Sequence, residues 1–118
     1  MLILLIDYRE REFIKLLSEN VFIENDHLTQ ITLKGCDIYF KVCSLPVGDF
    51  VIQNLEDAKI NVIIERKTVN DLCCSIMDNR FREQKSRLLM ATSDPNKIMY
   101  IIEGDRKNKK SNINDIVL

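Results

Sequence analysis

Residues 60–77 read INVIIERKTVNDLCCSIM, and two periodicities meet inside that stretch. Up to Lys67 the pattern is that of a strand, in which alternate side chains share a face, so Ile63, Glu65 and Lys67 point one way and Ile64 and Arg66 the other. From Val69 the period lengthens. Val69, Leu72, Cys73, Ile76 and Met77 fall at i, i+3, i+4, i+7 and i+8, the apolar stripe of an amphipathic helix. Thr68 stands at the junction with Asp71 three residues on, which predicts an N-cap and its capping-box partner.

Further strands and helices extend outward from this strand-to-helix unit. FVIQN (50–54) and INVIIERK (60–67) flank the acidic LEDA as a hairpin, and LTQITL (28–33) and IYFKV (38–42) flank KGCD with Gly35 as another. LILLI (2–6) is a short apolar run of strand length, and Phe13, Leu16 and Leu17 have helical spacing in the segment behind it. Downstream, a mostly polar helix is expected over residues 80–92 with Phe81, Lys85, Leu88 and Leu89 lining one side, then a last strand, KIMYII (97–102). The segment GDRKNKKSN is too charged and turn-rich for a core. INDIVL opens an amphipathic pattern that stops unfinished, from which a continuation or a partner is expected.

Composition limits the class. At 118 residues, 46% hydrophobic and 30% charged, with three Gly and two Pro, the chain fits one compact domain rather than a disordered or fibrous one. The apolar run at the start is too short for a signal peptide and leads straight into DYRERE, and no later run could span a bilayer, so a soluble protein that is not secreted is expected. Cys36, Cys43, Cys73 and Cys74 have no CxxC spacing, which fits a reducing compartment better than zinc or disulfides. Net charge is −1, but residues 1–79 carry 8 Lys/Arg against 13 Asp/Glu, whereas residues 80–110 carry 9 against 4. An acidic site beside a basic track suits metal-dependent chemistry on a polyanion, although solvated surface charge would give the same count.

The chemistry concentrates around the second hairpin. Asp49 follows Gly48 at one strand, and Glu65 and Lys67 share a face of its partner, giving an acid, acid, lysine cluster. Carboxylates can hold a hard cation such as Mg²⁺, and a lysine can orient water or neutralise charge at a phosphate. His27, the only histidine, sits in the polar ENDH as a loop residue, which disfavours a histidine general base. Read blandly, Asp49 is a turn residue, Glu65 and Lys67 a same-face ion pair, Glu10 a helix N-terminal charge and Asp71 a cap. The D-to-ExK pattern alone does not decide between these.

A longer match does. GD followed after fifteen residues by ERKTVND resembles the GD/ERKxxxD signature of the XPF/MUS family of structure-specific endonucleases, a branch of the PD-(D/E)xK nucleases. DLCCSIMDNRFREQKSRLL looks like the crossover-junction branch of that family, LLIDYRE resembles its first strand, and the likeness runs from Leu4 to about Glu103. The resemblance implies metal carboxylates at Asp7, Glu10, Asp49 and Glu65, Lys67 as the catalytic lysine, and Asp71 as the last signature acid. It implies DNA contacts at Arg66, Arg80, Gln84 and Arg87, although strand alternation turns the Arg66 side chain away from Glu65 and Lys67, a structural orientation.

The implied fold is α/β, a restriction-endonuclease-like mixed sheet flanked by helices, with residues 1–118 forming one nuclease domain. The implied activity is Mg²⁺- or Mn²⁺-dependent hydrolysis of branched DNA at flaps, forks and nicked or Holliday junctions, in repair and recombination, leaving 5′-phosphate and 3′-hydroxyl ends. The family works as homodimers or as heterodimers with a related subunit, in the nucleus or another reducing compartment that holds DNA. Its eukaryotic members carry helix-hairpin-helix repeats after the nuclease domain, and this sequence has no Gly-rich hairpin of that kind. The rival readings are a non-catalytic DNA-binding or dimerisation subunit and a scaffold module. Degenerate subunits usually lose signature acids, and Asp49, Glu65, Lys67 and Asp71 are all present.

Overall fold

A computed structural model describes residues 1–104. Along it run β1 (Leu2–Asp7), α1 (Arg11–Ser18), β2 (Thr29–Leu33), β3 (Cys36–Cys43), β4 (Phe50–Asn54), β5 (Ile60–Thr68), α2 (Val69–Met77), α3 (Arg80–Thr92) and β6 (Ile98–Glu103), with a 3-10 turn at Pro95–Lys97. The charged GDRKNKKSN loop beyond Gly104 and the INDIVL pattern lie outside the described residues.

The six strands form one sheet in the order β2-β3-β1-β4-β5-β6. β1 runs parallel to β3, and β5 to β6, while the remaining neighbours are antiparallel. This mixed α/β sheet is consistent with the restriction-endonuclease-like arrangement. Both expected hairpins form, and β1 is inserted between them.

Strand alternation divides the core in two. Ile64 packs with Ile6, Phe40, Val42 and Phe50 on one face, beneath Ile14 and Leu17 of α1. Ile63, the preceding residue, is fully buried on the other face with Leu45, Val51 and Leu88 of α3. Burying such a side chain contributes roughly 1.5–3 kcal/mol, which holds β5 to one register because a one-residue slip would exchange the faces.

The helices bury narrower stripes than their sequences suggest. On α1, Leu16 is 63% exposed and Ile14 and Leu17 pack inward, while Phe13 meets Phe50 edge-on at 5.1 Å between ring centroids. On α2, Val69, Leu72 and Ser75 are buried, whereas Ile76 and Met77, expected on the inner stripe, are exposed, because the inward side of this helix runs i, i+3, i+6 rather than through i+7 and i+8. On α3 the inner side carries Phe81, Gln84 and Leu88, and Lys85 is exposed to solvent. Asn79 turns α2 into α3 in the left-handed region, a conformation that asparagine tolerates.

Candidate active site

Antiparallel pairing brings the C-terminal end of β1, the start of β4 and the C-terminal part of β5 to one end of the sheet. Backbone bonds tie them together there: the Asp7 N–H donates to the Asp49 carbonyl at 3.0 Å, and the Asp49 N–H to the Ile64 carbonyl at 2.8 Å. Gly48 makes the approach possible. Its φ is +78°, and a Cβ would lie 2.6 Å from Ile63 Cγ2, so a larger residue would be strained there and would force the Ile63 side chain or the turn to shift.

Two adjoining cavities open at this end. One, of about 340 Å³, is lined by Glu10, Asp49, Glu65, Arg66, Lys67, Asp71, Ser75, Arg80 and Gln84. The other, of about 200 Å³, shares Asp49, Glu65 and Gln84 and adds Arg9, Arg87 and the Pro46–Gly48 turn. Every residue singled out in the sequence except Asp7 therefore lines one or both.

The carboxylates crowd one another. Burial, and next the charge of Asp49, push the Glu65 carboxyl above its ordinary range, with Lys67 and Arg9 pulling the other way. Burial and Asp49 likewise push Glu10 up against the opposing pull of Arg66. Asp49 Oδ2 accepts the Arg66 backbone N–H at 2.8 Å. The Arg66 guanidinium points to the opposite face, where its Nε meets Glu10 at 3.0 Å and its Nη1 meets Glu103 at 3.0 Å. Arg66 is thus tied into protein contacts at both its backbone and its side chain.

Lys67 is only 9% exposed, and its ammonium makes no ion pair among the described residues. Asp71 donates its N–H to Thr68 Oγ1 at 3.1 Å, the expected cap, while no described residue hydrogen-bonds its carboxylate. Arg80 and Arg87 form exposed pairs with Asp78 and Glu83, at 2.7 and 3.8 Å. Such pairs hold a side chain weakly and would yield to a phosphate. The Gln84 Oε1 is buried without a hydrogen-bond partner among the described residues.

Asp7 stands apart from the cavities. It is 3% exposed, and its Oδ1 accepts the Leu45 N–H at 2.9 Å while its Oδ2 accepts Arg9 Nε at 2.6 Å. Burial raises its pKa, but those bonds outweigh it and leave the carboxyl below the ordinary range. Asp7 thereby positions Arg9, a cation whose charge reaches Asp49 and Glu65 and which sequence reasoning missed. The available signal was its place between two singled-out acids in DYRE. His27 is exposed beside Glu24, as expected of a loop residue.

No three acidic, cysteine or histidine side chains among the described residues form a closed metal cage. The donor set still fits a hard cation. A carboxyl pushed up by a neighbouring carboxylate, as Glu65 and Glu10 are, is relieved by positive charge, and Mg²⁺ is ordinarily held by one or two carboxylates, with water and phosphate completing its shell.

Fold and cluster together define a class: a mixed-sheet α/β domain with acids and a lysine at one sheet end, as in restriction-endonuclease-like nucleases. The chain belongs to the ERCC4 domain family, which it matches over residues 6–116. Among its relatives, it is 38% identical over 104 residues to the probable crossover junction endonuclease mus81 of Dictyostelium discoideum, covering 85% of this chain and 10% of that protein. It is 37% identical over 108 residues to the crossover junction endonuclease MUS81 of Arabidopsis thaliana, covering 87% and 15%. It is 46% identical over 66 residues to the structure-specific endonuclease subunit MUS81 of Homo sapiens, covering 48% and 12%. The matched region thus spans 10–15% of the length of these relatives. No helix among the described residues is long and apolar enough to cross a membrane.

Proposed function

We propose that this chain is the nuclease domain of a structure-specific endonuclease that hydrolyses phosphodiesters in branched DNA during repair and recombination. The observation that carries this reading is the shared cavity at the sheet end, where Asp49, Glu65 and Lys67 meet with Asp71 and Arg80 on its wall. In this assignment Asp49 and Glu65 are the carboxylates that hold Mg²⁺ or Mn²⁺, and Glu10 adds negative charge beside them. A cation bound there would polarise the scissile phosphate and acidify an attacking water.

The remaining roles belong to the chain's own residues. Lys67, buried and without an ion pair among the described residues, stabilises charge that develops at the phosphate. Asp71 takes up the proton that the attacking water loses. Arg80, Gln84 and Arg87 lie along one side of α3 and grip the DNA backbone, contacts that fix position without reading sequence. Arg9 strengthens that grip from the opposite rim. Asp7 and Arg66, singled out in the sequence as a metal ligand and a DNA contact, are assigned positioning roles, Asp7 for Arg9 and Leu45, Arg66 for Asp49 and Glu10.

The proposal includes a second subunit, identical or related, and a nuclear or other reducing compartment that holds DNA. The apolar residues that motivate association, Ile113, Ile116, Val117 and Leu118, lie outside the described residues. Sedimentation of the chain should show self-association or a stable complex with a related subunit. Cleavage of labelled flap and nicked-junction DNA, with and without Mg²⁺, tests the activity. Metal-dependent cuts near the branch are expected, and DNA binding without cleavage in the assembled protein would favour the non-catalytic subunit reading.

A further inference from the structure

Tyr100 stands beside Glu65. The parallel pairing of β5 with β6 puts the two residues in register, and registered neighbours project from the same face of a pleated sheet. That face looks toward α3, where the Tyr100 ring lies 5.5 Å from the ring of Phe81. The Tyr100 hydroxyl is buried and has no hydrogen-bond partner among the described residues. Buried hydroxyls nearly always have one. Glu65 next to it is half-buried, and no described residue hydrogen-bonds or ion-pairs with its carboxylate. Burial, and then the charge of Glu65, raise the pKa of the phenol, so it keeps its proton at neutral pH.

A phenol with a proton to give and a carboxylate with lone pairs to fill are therefore neighbours without a bond between them. We propose that Tyr100 is a positioning residue of the site: its hydroxyl donates to one oxygen of Glu65 and so aims the other toward Asp49 and a bound cation. The inference rests on the reading of Asp49 and Glu65 as metal ligands. Ligating carboxylates are commonly hydrogen-bonded from behind, and loss of such a partner costs roughly 10–100-fold in metal affinity or activity. The competing acceptor is the Gln84 Oε1, also buried and unpartnered, one helical turn from Phe81. A Tyr100–Gln84 bond would hold α3 to β6 and have no bearing on metal.

Mn²⁺ titration of the DNA-free chain, paired with thermal melting, separates these cases. Tyr100→Phe should weaken Mn²⁺ binding by about tenfold or more, whatever the change in Tm, since the bond that aims Glu65 is removed. Phe81→Leu, which loosens the ring packing and keeps the hydroxyl, should leave Mn²⁺ affinity within about twofold of wild type. A lower Tm for Tyr100→Phe with unchanged Mn²⁺ affinity would overturn the proposal in favour of the Gln84 bond. Equal Mn²⁺ affinity for wild type and Glu65→Gln would instead overturn the metal-site reading beneath it, and this proposal with it.

Discussion

Consecutive residues of β5 face opposite sides of the sheet and are treated differently there. On the α1 side the Arg66 guanidinium is held between Glu10 and Glu103, both at 3.0 Å. On the α3 side Glu65 is half-buried and Lys67 buried, neither makes an ion pair among the described residues, and the Tyr100 hydroxyl beside them has no hydrogen-bond partner among those residues. Burying charge is costly unless it is paired. The paired side is therefore scaffold, and the unpaired side carries a cost that a cation and a phosphate can offset. One strand supplies both because its period of two turns neighbouring side chains to opposite faces.

The largest expected effect falls on the unpaired side. Asp49→Ala should lower Mn²⁺ affinity by more than the roughly 10–100-fold typical of losing an outer-shell partner, measured by titration. Affinity equal to wild type would place the ions elsewhere and break the contrast between the faces.

Arg66→Ala attacks the paired side. It leaves Glu10, 6% exposed, without its counter-ion, and should cost on the order of 1–3 kcal/mol of stability in thermal melts. A melt indistinguishable from wild type would show that the pair holds nothing. The same variant should keep much of its Mn²⁺ affinity, because the Asp49 contact comes from the backbone of residue 66.

Glu65→Gln sharpens the comparison through pH. The carboxyl of Glu65 is pushed up from its ordinary 4.5, chiefly by burial and then by Asp49, so above that value the native state holds the proton longer than the unfolded chain. The native state then binds more protons, and the contribution of Glu65 to stability falls as pH rises through the window. Without added metal, Glu65→Gln should melt several degrees above wild type near neutral pH, and the gap should close toward about pH 4. Saturating Mn²⁺ should reverse the order. A gap that does not vary with pH would remove the unpaired charge from the account.

Arg80→Ala should have the smallest effect. Its pair with Asp78 is exposed, so stability should barely change, while the salt dependence of DNA binding should flatten by about one unit of slope. An unchanged slope would take Arg80 off the DNA track.

Much of this was legible in the sequence. The strand and helix boundaries follow from periodicity, and the shift of period at Thr68 marks where the sheet ends and the site begins. The insertion of β1 between the hairpins was not legible, because hydrophobic patterning reports faces and not neighbours. Asp7 and Glu10 read alike as acids in DYRE, yet Asp7 is saturated by Leu45 and Arg9, and only Glu10 reaches the cavity. Arg9 reads as a surface charge until Asp7 anchors it. Tyr100 reads as an ordinary strand aromatic until the β5–β6 register sets it beside Glu65.

The central claim is that Lys67 serves chemistry while Arg80, Gln84 and Arg87 serve binding. Single-turnover cleavage and DNA affinity, measured on Lys67→Ala at saturating Mg²⁺, test it most directly. The rate should fall by roughly a hundredfold or more, as for loss of one transition-state contact, while affinity and its salt dependence stay near wild type. Normal cleavage with weakened, less salt-sensitive binding would contradict the account and make Lys67 a backbone-tracking residue.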